Sequence, residues 1–353
     1  MPAIADRLRA MAEIQIQNRP ARVVLDSRWP VLAGLRFVLA LVVVAGHLNW
    51  FVLPIKPWIF LESFGGTAAV LGFLIISGYS IGHSLERRPI GFYRRRVLRI
   101  YPMYVAAVLF ALVPFYSGAD ALRAPGDTFA RPHLWVVIGN LLMLQNIACL
   151  PIDSNMLVWT LGIEVACYLL APQFRKIPTG ILIILICVSA SVYGIYPRLG
   201  LRHYATVLYG IPLLTFAWAW IAGFVLHRYR NSPGIGLGII GLGMVLSTLN
   251  TTYNTRFSTA TVAASALLVT FSPRLRLPTA IGKITSYLGD LSYPLYLFHL
   301  PAFLLGYAIM NINNAWSLIL LALLISAAFL FIESTLRPVL FRSRSRDFVP
   351  TAN

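Results

Sequence analysis

The chain alternates long apolar runs with short polar breaks. Eleven runs can be marked, at about 31–53, 66–84, 100–117, 132–149, 156–173, 178–196, 205–227, 233–250, 258–273, 284–308 and 315–336. Most have the length of roughly 17–25 residues that spans a hydrocarbon core. In lipid a lone backbone N–H or C=O finds no water to bond, so each spanning run is predicted to be a helix. The expected fold class is all-α, a polytopic transmembrane helix bundle. Segment 132–149 is interrupted by Asn140, Gln145 and Asn146 and reads as a re-entrant or interfacial piece, not a crossing. Ten spans remain.

The placement of cations supports that count. With 132–149 set aside, 22 of the 29 Lys and Arg fall on one side, 6 on the other, and Arg36 inside the first span. Such a bias marks the cytoplasmic side and places both termini there. Residues 1–28 then form a cytoplasmic segment, without the apolar core and cleavage site of a signal peptide. Residues 29–338 form one transmembrane domain and 339–353 a basic cytoplasmic tail. No internal repeat or low-complexity stretch interrupts the domain.

Composition narrows the classes. Apolar residues make up 58% of the 353 and charged residues 12%, the latter about half the share usual in soluble domains. The formal charge of +17 does not indicate a nucleic-acid partner. A nucleic-acid binder shows its basic patch to water, whereas these arginines sit at the ends of apolar runs. Membrane lipids are the expected surroundings. Cys149, Cys167 and Cys187 lack metal-ligand spacing and any disulfide framework, so no metal site and no bound cofactor are expected.

Ionisable groups within a span are costly and point to function. Arg36 and His47 lie eleven positions apart in the first span, which puts them on nearly one helix face about 16 Å apart. Histidine suits the role of general base for a hydroxyl; a tie between helices is the other role open to His47. Glu164 reaches a similar depth in its span and is predicted to orient His47, as carboxylates do elsewhere, or else to bond helix backbone or an arginine. Arg96 and Arg99 share a helix face and suit a phosphate-bearing ligand. Arg94 and Arg95 read as topology signals with lipid headgroups as partners. Ser77, in a glycine-bearing span, reads as close packing before it reads as a nucleophile. Tyr293 and Tyr296 share a face and are expected to line a pocket, with His299 as a pocket candidate or helix tie.

Together these stretches resemble the acyltransferase 3 family of membrane O-acyltransferases, from about Trp29 to Pro338. Leu35-Arg36-Phe37 through His47 resembles the family's pattern of arginine, ten residues, histidine. Phe73 to Tyr79 resembles its Phe-x-x-Ser-Gly-Phe stretch, with Tyr79 where phenylalanine is usual. Tyr93 to Pro102 resembles its arginine-rich motif. Asn140 to Gln145 and Trp159-Thr160-Leu161 through Glu164 and Tyr168 resemble its central block, and Gly289 to His299 its late motif. The closing Glu-x-Pro element is stretched over Phe331 to Pro338, so Glu333 inherits no role. The extra extracytoplasmic hydrolase-like domain of some members is not expected.

The resemblance implies an acyl-CoA co-substrate, acetyl-CoA foremost, on the cytoplasmic side of a bacterial inner membrane. It implies an acceptor hydroxyl on a surface glycan or glycolipid. Arg36, Arg96 and Arg99 would then hold the donor and His47 would take the acceptor proton, with Glu164 as its partner. Tyr293 or Tyr296 would steady the thioester oxygen, and transfer would be direct. Ten helices with buried charge also suit a transporter or flippase of a small amphiphile. Transporters often show paired repeats with broken helices, and no such pairing is visible.

Overall fold

The computed structural model describes residues 28–53, 55–200, 203–250 and 254–341. The first half of its helices are α1 (Arg28–Leu48), α2 (Lys56–Glu62), α3 (Gly66–Arg87), α4 (Phe92–Phe110), α5 (Leu134–Leu141) and α6 (Trp159–Lys176). The second half are α7 (Thr179–Ile195), α8 (Ile211–Arg228), α9 (Pro233–Leu249), α10 (Ser258–Phe271), α11 (Thr279–Ala308) and α12 (Ala315–Phe341). Seven of these, α1, α3, α4, α6, α7, α8 and α12, are long and apolar enough to cross a membrane, α4, α6 and α7 together with their adjoining 3₁₀ turns as Phe92–Phe115, Asp153–Lys176 and Thr179–Leu199. The other three expected spans are helical too. α9 has 17 residues and α10 has 14, while α11 has 30 but a polar first half carrying Lys283 and Asp290. The basic terminal segments 1–27 and 342–353, which bear on the siting of both ends, lie outside the described residues.

Run 132–149 is not one helix. Its only helix among the described residues, α5, has 8 residues, about 12 Å of rise and too short to cross. The three amides that marked it in the sequence are buried and hold irregular backbone in place. Asn140 Nδ2 donates to the Val136 and Leu150 carbonyls at 2.8 and 2.9 Å, and Gln145 Nε2 to the Val158 carbonyl at 2.9 Å. Asn146 Nδ2 reaches the Val207 carbonyl at 2.9 Å. Polar side chains here do what water does elsewhere.

The described residues are mostly helical, with one short β element beside the bundle. A hairpin pairs Ala121–Arg123 with Thr128–Ala130 across the Ala124-Pro125-Gly126-Asp127 turn, whose Pro and Gly suit a tight reversal. It docks on the end of α1: Gly126 N–H donates to the Trp50 carbonyl at 2.9 Å, and Phe129 stacks on Phe51. A Cβ at Gly126 would meet Trp50 Cα at 2.8 Å, so only glycine lets the turn seat.

Two close helix pairs set the frame for the site. α3 packs against α8 where Cβ atoms at Gly78 and Gly223 would run into the Trp220 and Ile75 carbonyls at 1.9 and 2.0 Å. α1 packs against α11 at Gly289, whose Cβ would lie 2.3 Å from that of Ala33. Small residues thus bring the backbones together. Pro301 within α11 removes the N–H that would bond the Leu297 carbonyl. Asn155 Nδ2 fills that place at 3.0 Å.

Candidate active site

Because α4 begins at Phe92, the arginine run is helical from its start, and period 3.6 sorts its members. Arg95 folds back onto the Arg88 and Ile90 carbonyls. Arg96 Nη2 donates to Ser84 Oγ at 2.7 Å. Arg96 and Arg99 line one cavity of about 750 Å³ together with Arg36 of α1. Five arginines (these three with Arg87 and Arg88) face three carboxylates, Glu164, Asp290 and Glu333, so the cavity favours an anion. Among the described residues no carboxylate lies within ion-pair distance of Arg36, Arg96 or Arg99. Arg36 Nε and Arg96 Nε are buried without a hydrogen-bond partner. Leaving buried cations so is expensive, and guanidinium forks match phosphate or carboxylate oxygens.

Ser77 and Glu164 line the same cavity. Ser77 Oγ donates to Glu164 Oε1 at 2.5 Å, and the Tyr168 hydroxyl donates to the same oxygen. Trp220 Nε1 donates to Ser77 Oγ at 3.2 Å. Glu164 therefore does not partner His47, as the sequence led us to expect. The reason is how α6 begins. Residues 153–158 enter as a tight 3₁₀ segment broken at Asn155 (φ −148°, ψ 53°), and regular helix starts at Trp159. From there Glu164 and Tyr168, one turn apart, face α3 and meet Ser77.

His47 finds its partner on α11 instead. His299 Nε2 lies 3.3 Å from His47 Nδ1, with ring centroids 5.3 Å apart. Each ring also sets its Nδ1 2.9 Å from the carbonyl four residues earlier, Val43 and Leu295. A carbonyl only accepts, so both Nδ1 atoms carry the proton. His299 Nε2 then holds a lone pair toward His47 Nδ1–H, and His47 Nε2 keeps a lone pair with no protein partner among the described residues. The pair is His47's, not Glu164's.

The tyrosines divide. Both line the cavity, but the Tyr293 hydroxyl donates to the Ile100 carbonyl at 3.1 Å, whereas the Tyr296 hydroxyl pairs with Thr160 Oγ1 at 2.8 Å. Tyr296 also touches both regions: its ring centroid lies 5.5 Å from Phe73 in the cavity wall and 6.4 Å from His299. His47 and His299 themselves lie beyond the cavity lining, behind Tyr296.

Sequence reading missed a second cluster. His83, Glu86 and His227 bring ligand atoms within 4.8 Å of one another at the cavity rim. Glu86 is engaged by His227 Nε2 at 2.8 Å and Arg230 Nη2 at 3.0 Å. With an arginine already on the carboxylate, the arrangement is an ion-paired brace between α3 and α8. His83 and Glu86 are three apart on one helix, but nothing in the sequence brings His227 to them.

The family model described as an acyltransferase domain, acyltransferase 3, matches residues 30–334. The chain belongs to the acyltransferase 3 family. Among its relatives, ORF330 of Acidianus two-tailed virus, named as an acetyltransferase, is 23% identical over 287 residues. That match covers 77% of this chain and 82% of the relative. The acyltransferase MdmB of Streptomyces mycarofaciens is 26% identical over 341 residues, covering 83% of this chain and 82% of its own. No solved structure matches the chain. Its apolar helices and its family make it a multi-pass membrane acyltransferase.

Proposed function

We propose that this acyltransferase moves an acetyl or similar acyl group from an acyl-CoA-type donor to a hydroxyl of a surface carbohydrate or glycolipid. It works in the cytoplasmic membrane of a bacterium, with ten crossings, both ends cytoplasmic and segment 132–149 at the interface. The observation that carries this reading is α1 itself. One helix offers Arg36 to the arginine-rich cavity and His47 to an imidazole pair, about 16 Å further along.

Arg36, Arg96 and Arg99 bind the donor phosphates, and the acyl end reaches past Phe73 and Tyr296. The acceptor hydroxyl gives its proton to His47 Nε2 while its oxygen attacks the thioester carbonyl. The C–S bond then breaks and the leaving thiolate takes that proton back from His47. Imidazolium forming on His47 keeps both Nδ1–H contacts, to the Val43 carbonyl and to the His299 lone pair. We assign the hydroxyl of Tyr296, whose ring centroid lies 6.4 Å from that of His299, to steadying the oxyanion. Direct transfer from donor to acceptor is our preferred route.

The test compares acyl decoration of extracted glycans and glycolipids by mass spectrometry. It uses the intact strain, a deletion, and the deletion carrying wild-type or His47→Ala protein. An acyl-sized mass should vanish on deletion, return with wild type and stay absent with His47→Ala at equal membrane levels. Unchanged decoration with a mislocalised amphiphile would instead make the protein a carrier.

A further inference from the structure

We propose that a second, separate groove at the membrane edge binds the headgroup of an anionic phospholipid. The groove, about 580 Å³, lies between the end of α3, the turn into α4 and the end of α6. Arg94, Arg175 and Lys176 line it, and no Asp or Glu does. All three are exposed, and none forms a hydrogen bond through its side chain or an ion pair among the described residues.

Helix period separates this groove from the donor cavity. Arg94 precedes Arg96 by two positions, a little over half a turn, so one faces the groove while the other faces the cavity. Nor do the α6 cations serve their own helix end, which is where cations usually find work. Arg228 does that: its guanidinium donates to the Phe174, Arg175 and Ile177 carbonyls at 2.7, 3.1 and 2.9 Å. Three like charges are thereby left side by side, an arrangement an anion relieves.

Apolar surface beside the groove selects a lipid as the source of that anion. Leu169 and Leu170, on the α6 turn before it, are 59% and 46% exposed, and Tyr93 is seated there by its hydroxyl on the Leu169 carbonyl at 3.0 Å. Acyl chains lying along these leucines would carry a phosphate to Arg94, Arg175 and Lys176. Juxtamembrane cations of this kind add about 1 kcal/mol each toward acidic lipid, about fivefold per charge.

Purified protein should be titrated with phosphatidylglycerol and phosphatidylcholine and its bound lipid counted by native mass spectrometry. Wild type should prefer phosphatidylglycerol, and Arg94→Gln/Arg175→Gln/Lys176→Gln should lose about a hundredfold of that preference. A control removing three exposed cations elsewhere, Lys56→Gln/Arg123→Gln/Arg198→Gln, should keep it. Equal binding of both lipids by wild type, or equal loss in both variants, overturns the proposal. Displacement of the lipid by millimolar inorganic phosphate alone would make this a free-phosphate site instead. Should the triple variant fail to fold, photoactivatable phosphatidylglycerol on wild type decides. Crosslinks within 85–94 and 172–176 support the groove, and crosslinks only elsewhere remove it.

Discussion

The two ends of α1 use opposite electrostatics. Around Arg36 the walls are charged and cations outnumber carboxylates. Around His47 the hydrogen-bond partners are a carbonyl and a second imidazole, Trp50 packs edge-on, and neither imidazole is bonded to a carboxylate. A helix turn count keeps these about 16 Å apart. The separation has a chemical use, since a cation beside His47 would oppose its taking a proton. On the proposed mechanism, binding the donor's negative charge and moving the acceptor's proton fall to different regions of one rigid element, with Tyr296 between them.

The sharpest way to break that comparison is to remove one end and measure the other. We expect His47→Ala to cut transfer by about 10²–10⁴, the usual worth of a general base. Affinity for a non-reactive acyl-CoA thioether should stay within about twofold. If both fall together, the two regions are one site. Arg36→Ala should do the reverse. Loss of a charge-assisted contact of about 1.5–3 kcal/mol weakens thioether binding roughly 10–100-fold, while the rate at saturating donor changes only a few-fold. Calorimetric titration alongside steady-state rates separates the cases.

Much of the arginine-lined cavity was legible in the sequence because it depends on single-helix periodicity. Arg36 and His47 on one face, Arg96 and Arg99 on another, and Tyr293 with Tyr296 all follow from 3.6 residues per turn. The structure unites the three arginines, Ser77, Glu164 and both tyrosines in one cavity. The partner of His47 was not legible. Depth within a span made Glu164 a match, but depth says nothing about which helices touch. That is decided by Gly289 against Ala33, which joins α1 to α11, and by the Asn155 break that turns α6 toward α3. Asn140, Gln145 and Asn146 marked an interrupted helix correctly, yet their bonds to distant carbonyls could not be read from spacing.

A smaller effect sharpens the imidazole end. His299→Ala removes the lone pair facing His47 Nδ1–H but leaves the Val43 carbonyl, which fixes the same tautomer. Transfer should fall about tenfold, in line with one hydrogen bond to a group that becomes charged. His299→Gln, whose amide oxygen can accept in its place, should recover most of the loss. A role in packing alone would leave both variants equal when compared at matched thermal stability.

The smallest expected effect separates the two regions most cleanly. Glu164 accepts from Ser77 and Tyr168 through one oxygen, and Gln keeps a carbonyl oxygen of the same shape in that place. Glu164→Gln therefore retains both hydrogen bonds at that oxygen, removes the charge and turns the other oxygen into an amide NH₂. The cavity loses one of its three carboxylates, so an anionic donor should bind slightly tighter, about two- to fivefold for a partly screened charge. The rate at saturating donor and the shape of its pH profile should hold, since no bond links Glu164 to His47. A carboxylate that oriented the imidazole would behave otherwise. The same change in a working Ser-His-Asp triad costs about 10⁴ in rate. A loss of that size in Glu164→Gln, with donor affinity intact, would return Glu164 to His47 and erase the division between the ends of α1.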